Sequence, residues 1–216
     1  AYELLGHDVT LLDNLDRLDH LNDVDIVINL AGEPIASDRW SESRKQLLCN
    51  RRWLLTEQLV DLVKLSSTPP RLLLNASAIG WYGRQGDEPL DERCHHPHDE
   101  FTHRLCQRWE QLALQARSAQ TRVCIVRIGL VLGTDGGALP RMLPPYRLGL
   151  GGPMGPGTQT MSWIHVQDLV RAMLFLLEHD ECEGIFNGTA PQPVSNRLFS
   201  QTLASTLHRP HLFFVP

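Results

Sequence analysis

Ser77 and Tyr82 stand five positions apart, where an apolar run gives way to a glycine-containing segment. The run 71–77 (RLLLNAS) predicts a buried strand that ends at Ser77. A hydroxyl at the carboxyl end of a parallel strand can hydrogen-bond a substrate carbonyl or hydroxyl, and a tyrosine of lowered pKa can exchange a proton. A helix-capping serine and a packed tyrosine would give the same pattern, so both residues are catalytic candidates on their position alone.

Gly32 directly follows a second apolar run, 25–30 (DIVINL). A residue without a Cβ lets a ligand approach the backbone closely. The same glycine is typical of a tight turn between a strand and a helix, and both interpretations stay open here.

Histidine and cysteine cluster in the segment 94–98 (CHHPH), and His103 follows a little further on. A zinc site needs three or four convergent ligands, whereas a proline-containing segment rich in histidine is typical of a solvated loop. We therefore predict no metal. Cys106 falls on the apolar side of its predicted helix, which indicates a small core residue rather than a nucleophile.

Asp168 follows a glycine loop and a short apolar stretch within the segment 155–169. It would lie near the start of a helix, where unpaired N–H groups favour a carboxylate. This position gives Asp168 a capping role and no chemistry.

Strands that alternate with helices must position these residues. The apolar runs predict strands over 7–12, 25–30, 71–77, 122–132, 160–165 and 184–187, and apolar residues at helical spacing predict helices over 41–65, 101–116, 167–177 and 195–207. The segment 143–157, dense in glycine and proline, is expected to be a loop. This alternation predicts an α/β fold with a parallel sheet, whose ligand lies at the carboxyl ends of the strands.

Composition excludes several classes of protein. The chain has 216 residues, a net charge of −5 and 42% hydrophobic residues, so we expect a globular protein that does not bind nucleic acid. No apolar run is long enough to span a membrane. The five cysteines are odd in number and widely spaced, which favours a reduced, cytoplasmic compartment.

Several segments together resemble the extended short-chain dehydrogenase/reductase superfamily, and within it the epimerase family proteins, which are NAD-dependent epimerase/dehydratase-like. The matching segments follow the family's order through the whole chain. They are NLAGEPI (29–35), RW (39–40), RW (52–53), SAIGWYG (77–83), FTHRLCQRWE (101–110), RIGLVLG (127–133), MLPPYRLGLGGPMGPGTQ (142–159) and WIHVQDL (163–169).

The resemblance implies a Rossmann-type, doubly wound parallel sheet with a small C-terminal substrate lobe. We expect an NAD(P)-binding domain over 1–140. The range 141–216 is expected to be mostly substrate lobe, with elements that return to the first domain. The family's N-terminal glycine-rich βα segment is missing from this chain and is expected before Ala1, and a C-terminal tail is expected after Pro216. Relatives carry more chain before the run 25–30, so we also expect a join near 14–19.

The usual proton-transfer pair of the superfamily is absent. Most of its dehydrogenases use a tyrosine and a lysine four residues later. The helix that begins near Phe101 should carry them, but the candidate pairs there are Phe101 with Leu105 and Thr102 with Cys106. The chain's lysines, Lys45 and Lys64, do not follow a tyrosine by four.

The resemblance also implies the contacts of a nicotinamide cofactor. Leu30 and Ala31, with Gly32 beside them, would line its adenosine side, and Arg52 would reach it from the following helix. Val131 would contact the nicotinamide end. An acidic residue after the second strand binds the ribose of NAD, whereas an arginine there accepts the 2′-phosphate of NADP. Asp13 favours NAD, but relatives often carry an arginine nearby, so the choice stays open.

Two functions follow from these observations. The first is an NAD(P)-dependent oxidoreductase or epimerase acting on a small, sugar-like substrate. Ser77 and Tyr82 would be its catalytic residues, and a homodimer is the candidate assembly. The second is a catalytically silent, nucleotide-binding regulatory protein, similar to relatives described as cell-division inhibitors. The retained pocket segments favour the first function, and the missing Tyr/Lys pair favours the second.

Overall fold

A computed structural model describes residues 8–35, 38–86 and 88–213 of the chain. Strands and helices alternate through most of this part, as the sequence predicts. The strands are β1 (Ile26–Asn29), β2 (Leu72–Ala78), β3 (Arg122–Ile128), β4 (Leu130–Leu132), β5 (Thr160–Met161), β6 (Trp163–His165), β7 (Gly184–Gly188) and β8 (Val194–Ser195). The helices are α1 (Glu42–Leu65), α2 (Phe101–Ala113), α3 (Ala138–Arg147), α4 (Val166–Glu178) and α5 (Asn196–Thr206).

The main sheet has four strands in the order β1-β2-β3-β7. β1 and β2 are parallel, with Ile26 opposite Leu72 and Asn29 opposite Asn75, and α1 makes the crossover between them. Among the described residues β1 therefore forms one edge of the sheet, and the α/β class is confirmed.

Burial explains why these runs form strands and helices. Leu72, Leu73 and Leu74 of β2 are fully buried, as expected for a strand covered on both faces. One apolar cluster joins β2, β3 and the inner face of α1. Its fully or nearly fully buried members are Leu15, Leu21, Leu59, Val60, Leu62, Val63, Leu73, Ala113, Ala116, Val123 and Ile125.

The chain divides into two compact units, each discontinuous in sequence. The first holds the described residues within 1–85, 90–127 and 173–186, and the second holds those within 86–89, 128–172 and 187–216. In the second unit β4 pairs with β6 in parallel and β5 pairs with β8 antiparallel. The expected division into 1–140 and 141–216 stays a prediction.

The single strand expected over 122–132 is wrong, because the chain changes sheets at Gly129. β3 belongs to the main sheet, and β4 pairs with β6 instead. The backbone N–H of Gly129 donates to Gly188 and that of Leu130 donates to Ser162. A Cβ at Gly129 would lie 2.6 Å from the carbonyl oxygen of Ser162, so this close crossing needs a glycine.

Two further predictions fail. The expected loop over 143–157 begins inside α3, which contains Pro144 and Pro145. Each of these prolines lacks the N–H of one helical hydrogen bond, so α3 forms in spite of them. The strand expected over 7–12 is not formed in its described part, 8–12, which pairs with no strand. The sequence also predicts the last turn of a helix over 1–5 and the start of a strand over 211–215. That helix and the end of that strand lie outside the described residues.

Candidate functional site

A buried amide network holds the turn that follows β1. The Asn29 side-chain Nδ2 donates to Asn75 Oδ1 at 2.6 Å and to Thr56 Oγ1 at 3.2 Å. The Asn29 Oδ1 then accepts from the backbone N–H of Ala31 at 3.2 Å. The amide nitrogen and the amide oxygen of Asn29 are thus both hydrogen-bonded, and they fix the turn. Leu30 in this turn is 58% exposed.

Arg52 of α1 lies directly beneath the exposed Gly32. Its Nη1 donates to the carbonyl of Leu48 at 3.1 Å and its Nη2 to the carbonyl of Glu33 at 2.7 Å. A Cβ at Gly32 would lie 2.9 Å from Nη2. The guanidinium therefore occupies the space that any other residue would need, and it ties the turn to α1.

The Arg52 guanidinium is only 7% exposed and lies 5.3 Å from the ring centroid of Trp109. Burial lowers the pKa of this guanidinium, an effect that the nearby Cys106 and Cys49 partly oppose. Its Nε is buried and has no hydrogen-bond partner among the described residues. A buried donor left unpaired, below a glycine that allows close approach, fits a ligand that brings an oxygen to this turn.

A second buried polar cluster surrounds the end of β2. The Ser77 hydroxyl donates to Glu110 Oε1 of α2 at 2.6 Å. Arg127 of β3 donates to the same carboxylate twice, from Nε to Oε1 at 3.0 Å and from Nη2 to Oε2 at 2.8 Å. The three residues are between 1% and 4% exposed, so they form a charged hydrogen-bond network inside the first unit.

Stacking holds the Arg127 guanidinium in this cluster. It lies 3.5 Å from the ring centroid of Trp81 and 5.0 Å from that of Tyr82. Burial alone would lower the pKa of Arg127, but the hydrogen bonds and charge of Glu110 outweigh it and raise the pKa above its ordinary value. Arg127 is therefore a permanent cation next to both aromatic rings.

Tyr82 is 6% exposed. Its hydroxyl donates to the carbonyl of Asp91 at 3.3 Å, and its ring meets that of Trp81 edge-on at 5.3 Å. Ser77 and Tyr82 thus belong to one neighbourhood around Arg127, as their spacing suggests, and their catalytic role stays a prediction.

Two pairs on α2 remain candidates for the positions of the superfamily pair, Phe101 with Leu105 and Thr102 with Cys106. Thr102 Oγ1 donates to Glu100 Oε1 at 3.0 Å. Burial, together with the charge of Glu110, raises the pKa of the Cys106 thiol to about 11. Neither Leu105 nor the neutral thiol of Cys106 supplies the positive charge that the lysine of the pair would bring.

The other singled-out residues have their own surroundings. Val131 lies in the second unit and lines a cavity of about 430 Å³ together with the glycine turn 133–137 and the segment 165–167. Asp13 is exposed and accepts from the Asn14 side chain at 3.2 Å. Asp168 lies in the first turn of α4, as expected, and pairs with Arg171 at 3.0 Å.

Among the described residues, no group of three His, Cys, Asp or Glu could hold a metal ion. In the same part of the chain, no helix is long and apolar enough to cross a bilayer.

Sequence reasoning missed Glu110 and Arg127. Arg127 interrupts an otherwise apolar strand (RVCIVRI), and a charge inside a buried strand requires a partner. Glu110 lies next to Trp109, on the buried side of α2. A charged residue in an apolar strand and another on the buried side of a helix were the sequence signal that could have identified this ion pair.

Most of the chain matches one family. The model of the NAD dependent epimerase/dehydratase family matches residues 2–187, and the chain belongs to that family. The sheet and crossovers are of the Rossmann type, as the resemblance implies.

Individual relatives agree with this assignment. An epimerase family protein of Staphylococcus epidermidis is 42% identical over 194 residues, which are 90% of this chain and 64% of the relative. The chain thus spans about 64% of the length of that relative. A human epimerase family protein, crystallised with NADPH, is 34% identical with a TM-score of 0.87 over 92% of this chain and 68% of its own. A nucleoside-diphosphate sugar epimerase of Corynebacterium glutamicum is 32% identical with a TM-score of 0.74, over 91% of this chain and 42% of its own.

Proposed function

We propose that this protein binds NAD or NADP and acts as an NAD(P)-dependent oxidoreductase or epimerase on a small, sugar-like substrate. One observation carries the proposal: the unpaired, buried Nε of Arg52 lies beneath Gly32 at the exposed end of β1. The human relative crystallised with NADPH supports the cofactor class. The relative named as a nucleoside-diphosphate sugar epimerase supports the substrate class.

The residues of the turn after β1 would hold the nucleotide. Leu30 and Ala31 would line its adenosine side, Gly32 would allow close approach, and Arg52 would keep the turn in place. Asp13 and Val131 are proposed as contacts from the family resemblance. A bound nicotinamide would supply a hydride acceptor or donor to the substrate.

Ser77 and Tyr82 are the proposed catalytic residues. Ser77 ends β2 at the carboxyl edge of the sheet and would orient the substrate by a hydrogen bond. Tyr82 is the proposed proton donor in place of the absent Tyr/Lys pair, and the cation near its ring is Arg127. A phenol needs such a charge to work near neutral pH, because its ordinary pKa is about 10.

A second candidate function is a nucleotide-binding regulatory protein without turnover. The absence of a tyrosine and a lysine from both candidate pairs on α2, Phe101 with Leu105 and Thr102 with Cys106, favours it. For either function we infer a cytoplasmic protein, since Cys49, Cys94, Cys106, Cys124 and Cys182 are all free, and a homodimer is the candidate assembly.

Calorimetric titration with NAD and NADP tests nucleotide binding, and mass spectrometry of the native protein shows which nucleotide co-purifies. Hydride transfer is then followed over a panel of carbonyl compounds and sugar nucleotides. The first function requires binding with turnover that falls about 10² to 10⁴-fold in Tyr82→Phe. Tight binding without turnover on any compound supports the second function, and binding of neither nucleotide contradicts both.

A further inference from the structure

The Ser77–Glu110–Arg127 cluster fixes the direction of each of its hydrogen bonds. Arg127 donates to both oxygens of the Glu110 side chain, at 3.0 Å and 2.8 Å. A guanidinium is a cation with donors only, and its buried, two-bond pairing with Glu110 is the pairing of a guanidinium with an ionised carboxylate. Glu110 is therefore a carboxylate and accepts hydrogen bonds without donating any.

Because Glu110 can only accept, the hydroxyl proton of Ser77 must point to Glu110. The 2.6 Å contact between Ser77 Oγ and Glu110 Oε1 can form only with Ser77 as the donor. A hydroxyl has a single proton and two lone pairs. The neutral thiol of Cys106 also lies within hydrogen-bond reach of Ser77. With its proton directed to Glu110, the Ser77 hydroxyl has only lone pairs left for this thiol or for a ligand at the end of β2.

The cluster cannot easily turn to free that proton. Arg127 is stacked on Trp81 at 3.5 Å, so the plane of its guanidinium is set and the carboxylate of Glu110 is set with it. A hydrogen bond to a charged acceptor is about twice as strong as a neutral one. Ser77 would have to give up such a bond, inside a site with almost no solvent, in order to donate to a carbonyl group.

We propose that Glu110 is a positioning residue that makes Ser77 a hydrogen-bond acceptor, so that the site takes the hydroxyl form of its substrate in preference to the carbonyl form. This inference rests on the proposed function for the identity of the substrate pair. The direction of the Ser77 bond itself rests only on the cluster.

The first test needs neither nucleotide nor substrate. A serine proton held on a buried carboxylate exchanges slowly with water, so proton NMR of the full chain should show a downfield hydroxyl signal that disappears in Ser77→Ala. Ser200→Ala is the matched control, because Ser200 is also fully buried and bonds to Tyr146 instead. It should leave the Ser77 signal in place.

Glu110→Gln provides a second variant in the same experiment, since an amide keeps the size of the side chain and lacks the charge. We expect the Ser77 signal to move upfield and to exchange faster. If the unsubstituted, folded chain shows no protected hydroxyl signal that depends on Ser77, the proposed direction of this bond is wrong.

The second test uses cyclohexanol and cyclohexanone as a matched pair of probes with the nucleotide-saturated protein, measured by saturation-transfer NMR. We expect the alcohol to bind roughly tenfold to a hundredfold more tightly, the range of one hydrogen bond to a committed acceptor. Ser77→Ala should abolish the difference. Equal binding of the two probes by the unsubstituted chain, or binding of neither, contradicts the proposed preference.

The two hypotheses fail in different ways. A chain that binds neither NAD nor NADP refutes the proposed function but leaves the hydroxyl signal of Ser77 to be found in the same sample. A chain that binds nucleotide yet lacks that signal refutes the role of Glu110 alone.

Discussion

At the scale of single residues, the position of Arg52 changes the kind of contact that it makes. The sequence suggests an arginine that reaches a nucleotide directly. In the structure two of its nitrogens are used by the carbonyls of Leu48 and Glu33, and the remaining buried donor is Nε. Arg52 therefore holds the Gly32 turn, and its unpaired Nε is the donor that the proposed nucleotide contact would use.

Replacing Arg52 with alanine should weaken nucleotide binding by about 1–3 kcal/mol, the range of a lost charge-assisted contact. Calorimetric titration of both nucleotides measures the loss. Arg51→Ala is the control, because Arg51 is the exposed neighbour on the same helix and should leave the affinity unchanged. Unchanged affinity in a folded Arg52→Ala protein would show that this residue has no part in binding.

The Cys106 thiol should make the protein less stable in alkali. Its pKa is raised to about 11 from an ordinary value of 9.0, by burial and by the charge of Glu110. Below pH 9 the thiol is neutral in both the folded and the unfolded chain, so its ionisation does not lower the free energy of unfolding there. As the pH rises from 9 to 11, the unfolded chain ionises first, and stability is lost on the order of 2–3 kcal/mol.

Urea unfolding of the unsubstituted chain and of Cys106→Ala at pH 7, 9 and 10.5 measures this loss. We expect the variant to show a smaller fall between pH 9 and pH 10.5, whatever its stability at pH 7. The contributions of Cys49 and Cys124, whose pKa values burial also raises, remain in both proteins. Parallel curves for the two proteins would mean that Cys106 ionises like an exposed thiol.

At the scale of elements, one glycine decides where the main sheet ends. The continuous apolar run 122–132 becomes β3 and β4 because the backbone at Gly129 crosses close to Ser162, with Thr189 Cγ2 only 3.0 Å from the place of a Cβ. A side chain at this crossing must push backbone aside. Directly after this crossing β4 pairs with β6, with Leu130 opposite Trp163.

We expect Gly129→Ala to lower the free energy of unfolding by about 1–3 kcal/mol, the usual effect of overpacking a closely packed position. Gly136→Ala is the matched control, since nothing lies within 4 Å of its Cβ position. It should change stability by less than about 0.5 kcal/mol. Equal effects of the two substitutions in urea unfolding would mean that the crossing at Gly129 can widen freely.

Elements with a clear hydrophobic period were predictable from the sequence. Elements whose bounds depend on a contact with a residue far away in sequence were not. The run 25–30 and the helix over 41–65 agree with β1 and α1 to within a residue or two, because local pattern and burial coincide there. The break at Gly129 follows from Ser162 and Thr189, which lie far away in sequence. The helix α3 contradicts its own proline content, since its amphipathic face outweighs Pro144 and Pro145.

The candidate site shows the same limit. Position at a strand end was enough to single out Ser77 and Gly32. Glu110 comes from α2 and Arg127 from β3, and only the folded chain shows that Ser77 and Arg127 both donate to the Glu110 carboxylate. The sequence could therefore name a hydroxyl, but the direction of its hydrogen bond depends on a tertiary contact.

At the scale of the whole molecule, the order β1-β2-β3-β7 leaves a strand edge without a neighbour among the described residues. On this edge strand Ile28 is 40% exposed. A free strand edge with apolar side chains is a template on which another copy can add its own strand. We therefore expect the isolated chain to aggregate as its concentration rises.

Substituting Ile28 with lysine should suppress that aggregation, because a charge on an edge strand opposes pairing with a second edge. Light scattering over a concentration series measures it. Leu54→Lys is the control: Leu54 is 61% exposed but lies on α1, so its replacement removes surface apolarity without touching the edge. If both substitutions reduce aggregation equally, exposed apolar surface in general is its cause. If only Ile28→Lys reduces it, the open edge of β1 sets the concentration at which this chain stays in solution.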